Sequence, residues 1–312
     1  REGGGGSWSA SPPPDSRRVC MIPWILLAII MAPKAAQKRG DALWDPSWPE
    51  GSGERTIRER CEDASAPITL YCSWFCPFAQ RAWIALEEKQ VPYRYEEVNP
   101  YEVNPDLPGG YTKKALSLAE KTRLMPEFMA ASPRGLVPAV SNRDGSSPVW
   151  ESLHVVRYID EAFDGPALLP SDPVQRAYVA IWSDHCTDRI QKNYYRMLMD
   201  QDPATQEAAK HDFYLECQRL AKAMDPSGPF FLGKDVCMVD IALAPFWQRI
   251  HWVGGHYRGL TLPDDADFQR LDLWWNAMQE RPAFQRTLVS KPRLISSYSQ
   301  YARNEGTSDY AR

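Results

Sequence analysis

A strand-like run that ends near a cysteine–proline pair constrains this chain more than any other feature. Residues 68–71 are mostly apolar and β-prone, and helical spacing of apolar residues begins at Pro77. Proline suits the first turn of a helix, because the N–H that it lacks would have no intrahelical partner there. The pattern therefore predicts a strand, a short connection and a helix that starts directly after Cys76.

Cys76 precedes this helix, where unpaired N–H groups and the positive end of the helix dipole favour an anion. We expect its thiol to lose a proton more easily than a free cysteine, whose pKa is about 8.5. A lone cysteine among apolar residues is more often inert core filling. No resolving cysteine follows in a C-x-x-C motif, since that position is Ala79, and Cys72 is expected to pack. The residues alone therefore leave a reactive and a buried Cys76 both open.

The composition is that of an ordinary soluble globular protein with room for two domains. The 312 residues are 44% hydrophobic and 24% charged. The net charge is -4 and the lysines and arginines are scattered, so the sequence does not indicate a basic surface that would bind nucleic acid. The seven cysteines lack the regular spacing of a disulfide framework. We therefore expect a reducing compartment, the cytoplasm.

Residues 1–64 are predicted to be an extension, largely disordered. Glycine and proline runs within residues 3–14 cannot form a packed element. Residues 17–33, a basic pair followed by an apolar stretch, are too short to predict a transmembrane helix but are typical of a targeting peptide. Organellar targeting therefore stays open, alongside a fragment or a sequence upstream of a start at Met31. We expect no stable membrane insertion.

The first domain is predicted to span residues 65–166 and to mix strands with helices. Residues 99–132 are too long for an ordinary loop, so we treat them as an insertion with a short helical pattern around residues 113–121. Further strands are expected at residues 93–98, 135–140 and 149–150, the last two joined by a hairpin signal at residues 142–145.

Two features of this domain suit ligand binding. A cis bond before Pro138 can turn the chain so that Val137 presents its N–H and C=O to a ligand, although an ordinary trans proline is the alternative. Glu151 and Ser152 open a helix, where such residues are usually caps. The same site can hold a carboxylate on free N–H groups.

The second domain, residues 171–303, is predicted to be all helical, with a frayed tail at residues 304–312. Pro245 should kink one of its helices. The helical patterns fall at residues 174–198, 204–224, 239–250, 264–281 and 283–290.

Taken in order, these motifs resemble the cytosolic glutathione transferases, and within them the cysteine-type omega and lambda classes. The likeness covers residues 68–291 and implies a thioredoxin-like domain that binds glutathione, followed by an all-helical domain that holds the second substrate. The motifs that carry it are Cys76-Pro77-Phe78-Ala79-Gln80-Arg81, Gly135-Leu136-Val137-Pro138, Glu151-Ser152-Leu153, Phe231-Leu232-Gly233 and Asp240-Ile241-Ala242.

The resemblance also implies roles for individual residues. Cys76 would form a mixed disulfide with glutathione, the co-substrate, and no metal is implied. Glu151 and Ser152 would bind the γ-glutamyl end. The other residues expected to contact the tripeptide are Phe78, Val137 and a cis Pro138. Arg249 matches a family arginine near the second-substrate pocket. Trp247 and Tyr194 are expected there only from the aromatic content of the second domain, and core packing is the commoner role for each.

Some positions depart from the family's pattern. Met125 stands where omega proteins often have a lysine, so Lys121 or Arg123 would have to supply a basic contact. Cys237 stands where serine or threonine usually caps the helix that reaches Asp240, which should weaken that cap.

The resemblance implies a thiol transferase, deglutathionylase or dehydroascorbate reductase acting on a small or glutathionylated substrate, and a homodimer. Conjugation to electrophiles should be poor, because it needs a hydroxyl such as that of Tyr71 or Ser73 to stabilise the thiolate of glutathione. Two alternatives remain. One is a non-catalytic interaction module of the same fold. The other is a membrane-inserting relative of the intracellular chloride channel proteins.

Overall fold

Residues 51–61, 65–107 and 110–308 are the part of the chain that the computed structural model describes. Its described strands all lie between residues 68 and 150, and helices follow. The elements up to residue 162 are α1 (Ser52–Cys61), β1 (Ile68–Cys72), α2 (Pro77–Glu88), β2 (Tyr93–Glu97), β3 (Tyr101–Val103), β4 (Tyr111–Ala115), α3 (Leu118–Leu124), α4 (Pro126–Ala131), β5 (Ala139–Asn142), β6 (Val149–Trp150) and α5 (Ser152–Ala162).

A four-stranded sheet in the order β2–β1–β5–β6 forms the first domain. Strand β1 pairs in parallel with β2 and antiparallel with β5, and all five of its residues are buried. Helix α2 provides the crossover that a parallel pair requires, and it packs against α5. This confirms the thioredoxin-like domain, with the carboxyl end of β1 leading directly to Cys76.

The second domain is helical, as predicted. The expected long pattern over residues 174–198 is one continuous helical segment with a π-helical turn, Cys186–Gln191, in its middle. The helices are α6 (Pro173–His185), α7 (Lys192–Met199), α8 (Pro203–Ala223), α9 (Met238–Arg249), α10 (Gly255–Arg258), α11 (Ala266–Glu280), α12 (Pro282–Gln285), α13 (Lys291–Ser297) and α14 (Ser299–Ala302).

Helix α9 is the buried centre of this domain, and every one of its residues is buried. Asp240 accepts hydrogen bonds from the N–H groups of Cys237 (2.8 Å) and Phe231 (2.9 Å) and from the Trp274 indole (2.9 Å). The carboxylate of Asp240 therefore fixes the start of α9 through three hydrogen bonds, although Cys237 stands where serine or threonine usually caps this helix. Helix α9 packs against α2, which places it beneath the Cys76 loop.

The insertion differs from its sequence prediction. Strands β3 and β4 pair as an antiparallel hairpin, so residues 111–115 are a strand where we expected the start of a helix. Alternation within the strand decides this, because Tyr111 and Lys113 are buried whereas Thr112 and Lys114 are not. The helix begins instead at Leu118, where Ser117 and Glu120 form a capping box.

Helix α1 falls within the extension that was predicted to be largely disordered, and it contacts the folded body. Gly53 donates its N–H to the carbonyl oxygen of Leu288 at 2.8 Å, and Glu54 accepts the N–H of Ser290 at 2.9 Å. Helix α1 is therefore part of the folded body. The expectations for residues 17–33 lie outside the described residues. Within the described ranges, no helix combines the length and apolarity needed to cross a bilayer.

The carboxyl-terminal end also differs from prediction. Residues 283–290 are not one helix, because α12 ends at Gln285 and α13 begins at Lys291. The tail is not frayed as far as Ser308. Thr307 donates its N–H to the carbonyl oxygen of Lys113 at 3.0 Å, and Ser308 is buried. The described part of the tail is therefore held by β4.

Candidate active site

Cys76 lies in a tight connection between β1 and α2. Its N–H donates to the carbonyl oxygen of Ser73 at 2.8 Å, and its own carbonyl accepts the N–H of Gln80 at 3.0 Å. Its backbone is extended, and Pro77 occupies the first turn of the helix. The predicted order of strand, cysteine, proline and helix is confirmed. Cys72, at the end of β1, is fully buried in the core, as expected.

The expected acidity of the Cys76 thiol is wrong for the free protein. Burial raises the pKa of the Cys76 thiol, and this effect outweighs the influences that lower it. Those influences are the N–H groups of Ala79 and Phe78 and the positive charges of Arg249 and Lys113. The helix start therefore acts on Cys76 as predicted, but desolvation of the thiolate is the larger effect.

A cavity of about 260 Å³ opens beside Cys76. Its wall includes every residue that the sequence assigned to glutathione. These residues are Phe78, Val137, Pro138, Glu151 and Ser152, together with Cys76 itself. The structure therefore brings together side chains that are up to 76 positions apart in the sequence. In the described ranges, no group of three or more histidine, cysteine, aspartate or glutamate side chains is placed to hold a metal.

The Val137–Pro138 bond is cis, as expected. The Ser132 hydroxyl holds the preceding residue, because it donates to the carbonyl oxygen of Leu136 at 2.7 Å and accepts its N–H at 3.2 Å. In the described part of the chain, the backbone N–H and C=O of Val137 have no hydrogen-bond partner. Val137 thus presents a donor and an acceptor at the cavity wall.

Glu151 occupies the N-cap position of α5 with a backbone φ of 69°, and its side chain makes no capping hydrogen bond. A residue other than glycine with a positive φ carries backbone strain on the order of 1–3 kcal/mol, and such strain often occurs at functional sites. Its carboxylate pairs with Arg134 at 2.7 Å. The hydroxyl of the adjacent Ser152 accepts a hydrogen bond from Arg81 at 3.2 Å. Strain and contacts together fix an exposed carboxylate and a buried hydroxyl at the helix start.

Lys121 is one of the two residues that could replace the lysine missing at Met125. Its side chain is 2% exposed, lines the cavity and donates to the carbonyl oxygen of Gly135 at 3.0 Å. Arg123, the other candidate, is exposed and is not part of the cavity wall. Of the two residues that the sequence named, Lys121 lines the cavity and Arg123 does not.

The three residues expected at the second-substrate pocket lie elsewhere. Trp247 is fully buried and packs edge-on against Trp274. Tyr194 is fully buried and donates its hydroxyl to the carbonyl oxygen of Arg249 at 3.0 Å. The Arg249 guanidinium is buried beneath the Cys76 loop. Trp247 and Tyr194 therefore pack inside the helical domain, whereas Arg249 connects that domain to the loop before Cys76.

The sequence missed one side of the cavity. It is lined by residues of the inserted hairpin, helix α7, the last helices and the tail, which are Tyr101, Lys113, Tyr195, Tyr298, Tyr301 and Ser308. Local patterns predicted no such site, because these residues meet only through long-range contacts.

The chain is similar to known proteins over most of its length. Residues 75–162 match the family model described as Glutathione S-transferase, N-terminal domain. Glutathione S-transferase L2, chloroplastic, of Arabidopsis thaliana is 31% identical over 236 residues, which are 76% of this chain and 71% of that protein. The chain belongs to the glutathione S-transferase family.

Two further similarities involve omega-class members of this glutathione S-transferase family. Glutathione S-transferase omega-1 of Sus scrofa is 27% identical over 235 residues, which are 74% of this chain and 84% of that protein. The crystal structure of glutathione transferase Omega 3C from Trametes versicolor matches with a TM-score of 0.63 at 32% identity, covering 77% of this chain and 96% of that one. The predicted glutathione transferase fold is confirmed, and this family uses glutathione as its co-substrate.

Proposed function

We propose that this glutathione S-transferase is a thiol transferase whose Cys76 forms a mixed disulfide with glutathione. One observation carries the proposal. Cys76, the free backbone of Val137 and the Glu151–Ser152 pair line a single cavity. This set provides a nucleophile and two separate contacts for a tripeptide.

Glutathione would lie along the β5–α5 side of the cavity. The backbone of Val137 would pair with its central residue, as a strand pairs with an extended peptide. The α-carboxylate of its γ-glutamyl end would bind the free N–H groups at the start of α5 and the Ser152 hydroxyl. Its ammonium group would bind the Glu151 carboxylate. Lys121 would add a positive charge on the same side.

The reaction would proceed by two thiol–disulfide exchanges. The Cys76 thiolate attacks the glutathione sulfur of a substrate R–S–SG, forms the Cys76–glutathione disulfide and expels R–S⁻, which takes up a proton. The thiolate of a free glutathione then attacks the glutathione sulfur of this adduct. That step releases oxidised glutathione and restores the Cys76 thiolate. The net change is R–S–SG plus one glutathione to R–SH plus oxidised glutathione.

Dehydroascorbate reduction is the second activity that we propose for this nucleophile. Two glutathione molecules would supply the two electrons and two protons, and oxidised glutathione would form through the same Cys76 adduct. Conjugation has less support, because neither candidate hydroxyl lies on the cavity wall. Ser73 donates its hydroxyl to the carbonyl oxygen of Val98, and Tyr71 packs against Phe128.

The decisive experiment is intact mass spectrometry after treatment with oxidised glutathione, with the adduct located by peptide mapping. We expect an adduct on Cys76 that reduced glutathione removes, and none at that position in Cys76→Ser. Cys61→Ser removes an exposed thiol outside the cavity and serves as the matched control, which should keep the Cys76 adduct. A wild-type protein that binds immobilised glutathione but forms no Cys76 adduct would favour the non-catalytic module instead.

We further propose a homodimer in a reducing compartment, the cytoplasm. Helix α6 exposes an apolar stripe, Val174, Tyr178 and Ile181, with relative exposures of 61%, 57% and 59%. A stripe of this kind on one helix face suits a protein partner, here a second copy. All six cysteines in the described ranges are free thiols, which fits a reducing environment. Import of the full chain into an organelle would contradict the cytoplasmic assignment.

A further inference from the structure

Lys113 is a buried cation surrounded by aromatic rings. It lies on β4 of the inserted hairpin and is 1% exposed. Its ammonium nitrogen faces five ring centroids, at distances that suit cation–π attraction. These rings are Phe75 at 4.1 Å, Tyr101 at 4.9 Å, Tyr111 at 5.0 Å, Tyr301 at 5.1 Å and Tyr298 at 5.8 Å.

The charge of Lys113 has no anionic partner in the described ranges. The other charged side chains on the cavity wall all make polar contacts. Arg134 pairs with Glu151, and Lys121 donates to the carbonyl oxygen of Gly135. The Lys113 ammonium makes neither an ion pair nor a hydrogen bond there, and burial lowers its pKa to about 7. A buried ammonium without an oxygen partner is costly, so an incoming anion would be favoured here.

We propose that Lys113 binds a carboxylate or similar anionic oxygen on the acceptor substrate. This inference rests on the proposed thiol-transfer function and names its substrate class, which is glutathionylated or oxidised acceptors that carry a negative charge. Rings such as Tyr101 and Phe75 would contact the apolar body of the acceptor.

The placement of Lys113 assigns this anion to the acceptor and not to glutathione. The residues expected to hold glutathione, Val137, Glu151 and Ser152, lie at β5 and α5. Lys113 instead comes from the hairpin, whose strand β4 pairs with the tail at Thr307. Both groups line the same cavity as Cys76, so an acceptor at Lys113 would approach the nucleophile from the hairpin rather than from β5 and α5.

A turnover experiment tests this with two matched substrates. They are the mixed disulfides of glutathione with 3-mercaptopropionate, which is anionic, and with 2-mercaptoethanol, which is neutral. The readout is the ratio of their kcat/KM values. Removing Lys113 also changes the Cys76 thiol, but that effect is common to both substrates and cancels in the ratio.

In Lys113→Met, we expect the ratio to fall by roughly tenfold to a hundredfold, as for the loss of a hydrogen bond between charged groups. Lys114→Met is the matched control. Lys114 is the adjacent residue of the same strand, is exposed and pairs with Glu102 at 2.7 Å. Its loss should leave the ratio within about twofold of wild type. An unchanged ratio in Lys113→Met would contradict the proposal, because Lys113 would then only pack against the aromatic rings and would not bind an anion.

A binding measurement separates this inference from the proposed chemistry. In the Cys76→Ser background, we expect isothermal titration calorimetry to show tighter binding of 3-phenylpropionate than of the neutral 3-phenyl-1-propanol. The preference should vanish when Lys113→Met is added. If this preference depends on Lys113 but the wild-type protein forms no Cys76 adduct with oxidised glutathione, only the thiol-transfer proposal is contradicted. If the wild-type protein forms the Cys76 adduct but the Cys76→Ser protein shows no preference for 3-phenylpropionate, the inference about Lys113 is contradicted.

Discussion

The Arg249 guanidinium donates a hydrogen bond of 3.0 Å to the carbonyl oxygen of Phe75, the residue directly before Cys76. It also donates to the Gln80 side chain on α2 at 2.8 Å and to the Tyr298 hydroxyl at 2.8 Å. The central helix of the second domain therefore holds the loop of the nucleophile and the helix that follows it. The geometry of Cys76 depends on packing between the two domains.

We predict that Arg249→Met destabilises the protein by about 3 kcal/mol, because it leaves several buried acceptors without their donor. It should also raise the pKa of Cys76 further, because the Arg249 charge lowers that pKa. Urea unfolding measures the first effect and alkylation against pH the second. Arg196→Met removes an arginine whose pair with Asp212 is half exposed, and should cost less than about 1 kcal/mol. Equal losses in the two variants would contradict the role of Arg249.

The pH dependence of Cys76 alkylation should reflect its burial. Burial raises the Cys76 pKa, so the rate with iodoacetamide should rise through a midpoint above that of a free cysteine, about 8.5. The thiolate is the reactive form, so the rate falls as pH falls below this midpoint. In Lys113→Met the midpoint should move higher, because a positive charge that favours the thiolate is lost. A wild-type midpoint at or below that of glutathione measured alongside would contradict this prediction.

Local rules predicted the parts of the fold and site that depend on neighbouring residues. The start of α2 follows from Pro77, and the start of α5 follows from the Glu151–Ser152 pair. The cis bond before Pro138 followed from the resemblance. At the two helix starts, a few adjacent residues determine the backbone, so local rules were sufficient, whereas the cis bond needed the resemblance.

Long-range contacts explain what the sequence did not predict. The pKa of Cys76 rises because residues distant in the chain exclude water from the thiol. Lys113 is buried because the hairpin pairs with Thr307, almost two hundred positions later. The resemblance implied that Arg249 lies near the second-substrate pocket, yet its guanidinium donates hydrogen bonds to Phe75, Gln80 and Tyr298 in the interior. No local pattern encodes these three outcomes.

The strained backbone of Glu151 gives a prediction that separates stability from binding. Glu151→Gly should stabilise the protein by up to about 1 kcal/mol, because glycine adopts a φ of 69° freely while its unfolded chain has more entropy to lose. The KM for glutathione should rise, because the carboxylate proposed to bind its ammonium group is gone. Thermal unfolding and steady-state kinetics measure the two effects. Glu151→Gln keeps the strain, so it should raise KM without the gain in stability.

Helix α1 should contribute to stability through Glu54. Its carboxylate lies 3.4 Å from the Arg293 guanidinium, which stacks 3.9 Å from the centroid of the Trp74 ring. We predict that Glu54→Ala costs about 3 kcal/mol, since it removes one member of a buried ion pair. Glu59→Ala, on the same helix, breaks a largely exposed pair with Arg286 and should cost less than about 1 kcal/mol. Similar unfolding midpoints for both variants would show that α1 adds little.

The exposed stripe on α6 gives the last prediction. If Val174, Tyr178 and Ile181 pack against a second copy, a buried charge there would face apolar side chains without a partner. Ile181→Glu should therefore convert the dimer to a monomer with an unchanged far-ultraviolet circular dichroism spectrum, as measured by light scattering after size exclusion. Leu273→Glu is the matched control, because Leu273 is 63% exposed on a different helix, and it should remain dimeric. A monomeric wild type would contradict the proposed dimer. Dissociation by Leu273→Glu but not by Ile181→Glu would place the interface on a different helix.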